Sequence, residues 1–179
     1  MININSSMLL IIDMQEKLVN AANNSSDVIN NMKKLIKTAK MLNIPIIATE
    51  QYPKGLGKTI KDLEINNNDS ITIEKTAFSA ILESEFAEEI QSLNKKQIII
   101  GGIETHICVL QTVSDLISEG YDVYVVKDAC TSRTSFNHET GLDLMKQYGA
   151  KITSTEITLF ELLKTSRHPM FKEIQALIK

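Results

Sequence analysis

The sequence predicts a three-layer α/β/α fold, a central, mainly parallel six-stranded sheet with helices on both faces, Rossmann-like in outline. Three observations predict it. Six short runs rich in β-branched residues alternate with helical patterns along all 179 residues, and such alternation gives parallel strands joined by crossover helices. Two of the runs, at 8–12 (MLLII) and 98–100 (III), are apolar without a break, as strands covered on both faces are. The length fits one domain, 1–179, large enough to bury a core.

The elements follow in order. The first strand, 8–12, ends at Asp13. A carboxylate there is costly to bury unless it is paired; a helix-capping role is the plainer alternative. From Asp27, apolar residues at Val28, Ile29, Met32, Leu35, Ile36, Ala39 and Leu42 recur at helical spacing, with lysines opposite. The second strand is 44–49 (IPIIAT). A loop rich in Gly and Pro, 50–59 (EQYPKGLGKT), comes next. Its GLGKT invites a phosphate-loop reading, but Tyr52 stands where that motif needs a glycine and Pro53 lacks a backbone donor. Residues 66–70 (NNNDS) signal a turn, and 70–74 (SITIE) alternates as a short strand ending at Lys75.

A helix over 78–94, capped by Thr76 or Ser79, would bury Phe78, Ile81, Leu82, Phe86 and Ile90. The strand at 98–100 runs into Gly101 and Gly102. A helix over 105–119 would bury Val109, Leu110, Val113, Leu116 and Ile117, with Gly120 suited to its end. The fifth strand, 121–126, ends in Lys127 and Asp128; 129–136 reads as a polar loop. A helix at 137–148 stops at Gly149, and 151–154 is the last strand. Helical patterns close the chain at 156–163 and 170–178.

Composition narrows the function. A formal charge of −3 and few aromatics, with no Trp, argue against nucleic acid or an anionic membrane as partner. Two cysteines are too few for a disulfide framework. The first residues lack a signal peptide's basic start and long apolar core, and no window approaches the roughly 20 apolar residues of a membrane span. The expectation is a cytoplasmic protein acting on a small molecule.

In open parallel sheets, ligands bind beyond the carboxyl ends of the strands. Asp13, Lys75 and Cys108 all fall there. Cys108 follows a strand, two glycines and a helix start, so a helix dipole is expected to favour its thiolate. Singly, each residue has a plain reading: a cap, a solvated lysine, a small buried hydrophobe. Gln15, Glu50, Gln51, Phe78 and Glu104 lie at or just past strand ends and would wall a small polar pocket with one apolar side. His106, His138 and His168 lack metal-ligand spacing, so no metal and no cofactor are expected. His106 and Cys108 diverge by about 200° on a helix, which favours packing or capping over a dyad. Cys130 reads as buried; a disulfide with Cys108 is the less favoured alternative.

Those residues resemble the isochorismatase-like cysteine hydrolases: Asp13 in LLIIDMQ, Lys75 in EKTAFS and Cys108 in GGIETHICVLQ, with DACTSR at 128–133 and LFELL at 159–163. The segment TEQYPKGLG is similar to small isochorismatase-domain proteins of undefined substrate. The resemblance implies Cys108 as nucleophile, Asp13 as its base and Lys75 as the group that stabilises the thiolate and orients the carboxylate. It implies an oxyanion hole from the backbone N–H groups of Glu104 and Cys108, a cis peptide between Ile103 and Glu104, and a homo-oligomer of two or more copies. The histidine metal ligands of nicotinamidase relatives have no match in EQYPKGLG, which disfavours that activity. The implied reaction is hydrolysis of an amide- or ureide-type C–N bond through a thioester. Two alternatives stay open: a vinyl ether hydrolase of the isochorismatase type, which does not require the cysteine, and a non-enzymatic binding module that keeps the fold.

Overall fold

The computed structural model describes residues 1–65 and 70–179. The turn expected at 66–70 falls on 66–69, outside the described residues. The elements run β1 (Ser7–Ile12), α1 (Glu16–Ala21), α2 (Ser25–Met41), β2 (Ile46–Gln51), α3 (Pro53–Leu56), β3 (Ile71–Lys75), α4 (Ser84–Ser92), β4 (Gln97–Ile103), α5 (Leu110–Ser118), β5 (Asp122–Thr131), α6 (Ser135–Gln147), β6 (Lys151–Thr153), α7 (Thr155–Leu163) and α8 (Phe171–Ala176). The strands form one sheet in the order β3-β2-β1-β4-β5-β6, and every pairing among them is parallel. β1 and β4 lie at the centre, matched from Ser7 with Gln97 to Ile12 with Gly102.

Successive strand residues face opposite ways, and both faces are covered. Leu9, Ile11 and Ile99 pack with Met32, Leu35 and Ile36 of α2, Leu159 and Leu162 of α7 and Ile174 of α8. Met8, Leu10, Ile12, Ile98 and Ile100 pack on the other face with Phe86 and Ile90 of α4, Val113 and Leu116 of α5 and Met145 of α6. The unbroken apolar runs reflect this double burial. Among the described residues, no helix is long and apolar enough to cross a membrane.

Three elements differ from expectation where distant partners decide. β2 runs on through Glu50 and Gln51, which pair with Glu74 and Lys75 of β3. β5 continues to Thr131, past its expected end at Val126. The register shifts between Ile100 and Gly102, and Gly102 and Ile103 then pair with Cys130 and Thr131. The helix expected at 78–94 is broken into a 3₁₀ turn at Ala80–Leu82 and α4. Glu83 between them is extended, and its carboxylate accepts the N–H groups of Thr76 at 2.7 Å and Ala77 at 2.9 Å. Phe78 and Leu82 consequently stay exposed rather than entering the core.

Candidate active site

The ends of β1, β2, β3 and β4 converge on one buried cluster. Asp13 follows β1 in the left-handed region, φ +49°, which Asp tolerates better than most residues. Its N–H donates to the Thr49 carbonyl at 3.2 Å, and its Oδ1 accepts the Thr49 hydroxyl at 2.7 Å. Its Oδ2 lies 2.8 Å from the Lys75 ammonium, with both side chains 0% exposed. Oδ2 makes no geometrically sound hydrogen bond, so this is an ion contact with lone-pair capacity to spare. Lys75 Nζ also donates to Gln51 Oε1 at 2.6 Å and to the Ala77 and Phe78 carbonyls, each at 3.2 Å. A buried ammonium needs such a ring of acceptors to stay in place.

Cys108 lies on a π-helical turn, Thr105–Val109, that leads into α5. It is 6% exposed, and its thiol interacts with both the Asp13 carboxylate and the Lys75 ammonium. Burial, reinforced by the negative charge of Asp13, pushes the thiol up to about 12, against the opposing pull of Lys75. This shift runs against the thiolate expected from the helix dipole. Desolvation of an anion outweighs a dipole at a site this closed. The Asp13 carboxylate lies beside this thiol.

Close backbone approach places the turn. A Cβ on Gly102, where φ is +139°, would collide with the Ile12 carbonyl, next to Asp13. One on Gly101 would come 2.8 Å from the Ala129 carbonyl. The Ile103–Glu104 peptide is cis. Glu104 Oε1 accepts the Arg133 N–H at 3.1 Å and Nε at 3.0 Å. The turn is held to its surroundings by hydrogen bonds between Thr105 Oγ1 and His138 Nδ1 at 2.8 Å and between His106 Nδ1 and Ser132 Oγ at 2.9 Å. Burial lowers His138 below the usual imidazole range, which favours its neutral form. Cys130 is free, as is Cys108, so the less favoured disulfide does not form.

The expected pocket residues divide. Gln51 and Phe78 meet Lys75, the first by its side chain and the second by its carbonyl. Phe78 is 53% exposed. Gln15 is spent on backbone: it donates to the Gln51 and Gly57 carbonyls and accepts the Gln51 N–H. Glu50 takes the Thr59 N–H and hydroxyl and pairs with Lys58 at 3.1 Å. Burial alone would raise its carboxyl, but these bonds outweigh burial and hold it below the usual range. Both side chains therefore brace the loop after β2. Thr49, which orients Asp13, escaped the sequence reading; only the alignment of β1 with β2 reveals it.

A pocket of about 200 Å³, lined by Tyr52, Pro53, Thr76 and Glu83, reaches Lys75. A larger groove of about 690 Å³, lined by Asn31, Lys34, Lys127, Cys130 and His138 among others, includes none of Asp13, Lys75 and Cys108. Among the described residues, no group of three or more His, Cys, Asp or Glu is placed to hold a metal ion.

Comparison with known proteins agrees with this fold. Residues 7–157 match the isochorismatase domain. The chain is 41% identical over 174 residues to isochorismatase domain-containing protein 2 of Xenopus laevis, covering 97% of this chain and 83% of the relative. It is similar to the MAR1 ribonuclease of Caenorhabditis elegans, with a TM-score of 0.92, 38% identity and coverage of 99% and 91% of the two chains. It is also similar to the YcaC gene product of Escherichia coli, described as an octameric hydrolase of unknown specificity, with a TM-score of 0.90, 25% identity and coverage of 99% and 94%.

Proposed function

The chain belongs to the isochorismatase family of hydrolases, and on that premise we propose that it cleaves a C–N bond of a small amide or ureide by cysteine catalysis. The observation that carries the reading is the fully buried Asp13–Lys75 pair in contact with the Cys108 thiol. Asp13 takes the thiol proton as the sulfur attacks the carbonyl carbon. The C–N bond then breaks, and the amine leaves with the proton held by Asp13. A water, deprotonated by the same carboxylate, attacks the thioester, releasing the acid and restoring the thiol. Lys75 fixes the carboxylate and offsets negative charge on the sulfur. The N–H groups of Glu104 and Cys108 receive the oxyanion, where one donor is worth about 3–4 kcal/mol of transition-state stabilisation.

We read residues 1–179 as one hydrolase domain that assembles with copies of itself, a reading supported by the octameric E. coli neighbour and checked by sedimentation. The test of function is a panel of primary amides and ureides, with mass spectrometry of Cys108 during turnover. Acylation of Cys108, lost in Asp13→Asn, is the expected result. Activity that survives Cys108→Ala would transfer the reading to vinyl ether chemistry. Hydrolysis of RNA, the activity in the nematode neighbour's name, without amide turnover would overturn it. Binding without turnover would leave a non-enzymatic module.

A further inference from the structure

α7 presents apolar side chains on two sides. Leu159, Leu162 and Leu163 are buried in the layer formed with α2. On the other side, Ile157 is 53% and Phe160 37% exposed. A surface helix ordinarily turns polar groups outward, and one that is apolar on both sides belongs in an interior. In the single chain the second side of α7 meets solvent.

Ile157 and Phe160 line a groove of about 610 Å³, with Met1, Glu156, Glu161 and Lys164 among its other walls. The Phe160 ring is steadied by that of Phe171, centroids 6.4 Å apart. Glu161 is spent within the chain, where its Oε2 accepts the Ile2 N–H at 2.8 Å. Glu156 and Lys164 are exposed, and among the described residues their side chains have no hydrogen-bond or ion-pair partner. They stand four residues before and four residues after Phe160, and residues four apart share one face of a helix. The face therefore reads acid, aromatic, base, with Phe160 at its midpoint. Turned end for end about that midpoint, the pattern is its own complement.

We infer that this face of α7 is a two-fold contact between copies of the chain, centred on Phe160 and closed by reciprocal Glu156–Lys164 pairs; this rests on the self-assembly reading above and adds the surface it uses. A two-fold contact joins one patch to the same patch, so the patch must complement itself. With a second α7 laid antiparallel on the first, Phe160 meets Phe160 of the second copy. Glu156 of each copy faces Lys164 of the other, giving two ion pairs that flank the apolar centre. The antiparallel arrangement also sets each helix's positive end beside the other's negative end. A parallel pair would instead bring Glu156 onto Glu156 and Lys164 onto Lys164. A partner of one charge sign would satisfy one of the two side chains and repel the other, so the charges favour a second copy as the occupant.

The experiment is sedimentation velocity over a dilution series, comparing wild type with Glu156→Lys, Lys164→Glu, the double variant and Phe160→Asp, each checked for folding by circular dichroism. Either single reversal sets like charges together twice per contact and weakens association about tenfold. The double variant re-forms both pairs with their signs exchanged and returns to within about threefold of wild type. Phe160→Asp puts two carboxylates at the centre of the contact and weakens it about a hundredfold or more. The reversals, at exposed positions, decide the matter should Phe160→Asp unfold. Single reversals that associate as wild type does, a double variant no better than the singles, or a folded Phe160→Asp with unchanged association each overturns this inference and leaves self-assembly standing. Wild type that sediments as a monomer at every concentration overturns the self-assembly reading, and this inference with it.

Discussion

Lys75→Met isolates the energetic core of the site. The substitution keeps an unbranched side chain of similar length and removes one charge from a cluster sealed from water. Asp13 would be left buried with the Thr49 hydroxyl on Oδ1 and without its cation at Oδ2. Gln51 Oε1 and the carbonyls of Ala77 and Phe78 would lose their shared donor. Breaking a buried pair by deleting one partner costs about 3–5 kcal/mol. With a urea m-value of about 2 kcal/mol/M, that moves the midpoint down by roughly 2 M. Asp13→Asn alone is expected to cost a comparable amount, because it strands the ammonium. The double variant Asp13→Asn, Lys75→Met carries no buried charge and should recover about 2–3 kcal/mol relative to the sum of the singles, the usual upper range for groups in direct contact. The assay is urea unfolding followed by circular dichroism at one protein concentration. A shift below 0.5 M for Lys75→Met, or additive singles, would refute a mutually dependent buried pair.

Two further outcomes follow from the same structure. Because burial and Asp13 hold the Cys108 thiol up to about 12, only the rising thiolate fraction admits iodoacetamide. Labelling of Cys108, read by peptide mass spectrometry, should climb about tenfold per pH unit from pH 7 to 10; a plateau below pH 8 would mean a preformed thiolate. Thr38→Val replaces an unpartnered buried hydroxyl by a methyl of the same shape. It should raise stability by about 1 kcal/mol in urea unfolding, since the stranded hydroxyl's desolvation penalty disappears, and a loss of 1 kcal/mol or more would show a partner for that oxygen.

Much of the architecture could be read from local pattern. Uninterrupted apolar runs at 8–12 and 98–100 announced strands covered on both sides, and Asp13 and Lys75 could be placed at strand ends before any partner was known. What could not be read depends on partners far along the chain. Residues 129–131 look like loop because Ala-Cys-Thr carries no strand signal, yet Gly102 and Ile103 pull Cys130 and Thr131 into the ladder. The helical spacing of Phe78, Ile81, Leu82, Phe86 and Ile90 is real, but Glu83 turns its carboxylate back to two N–H groups and breaks the helix there. The state of the Cys108 thiol depends on how completely the site is closed, which a helix start in a sequence does not report. Gln15 and Glu50 sit where a ligand would be expected, and only the full hydrogen-bond network shows both committed to the loop after β2.

The position of β3 at the sheet's margin has a consequence for how this protein fails. The acid comes from one of the two innermost strands, whereas its cation rides on an outer one that is secured on a single side. Marginal strands open at lower free energy than central ones. Peeling of that one border would part Lys75 from Asp13 while the other five strands remain assembled, so under the proposed mechanism activity would be lost at milder stress than the fold.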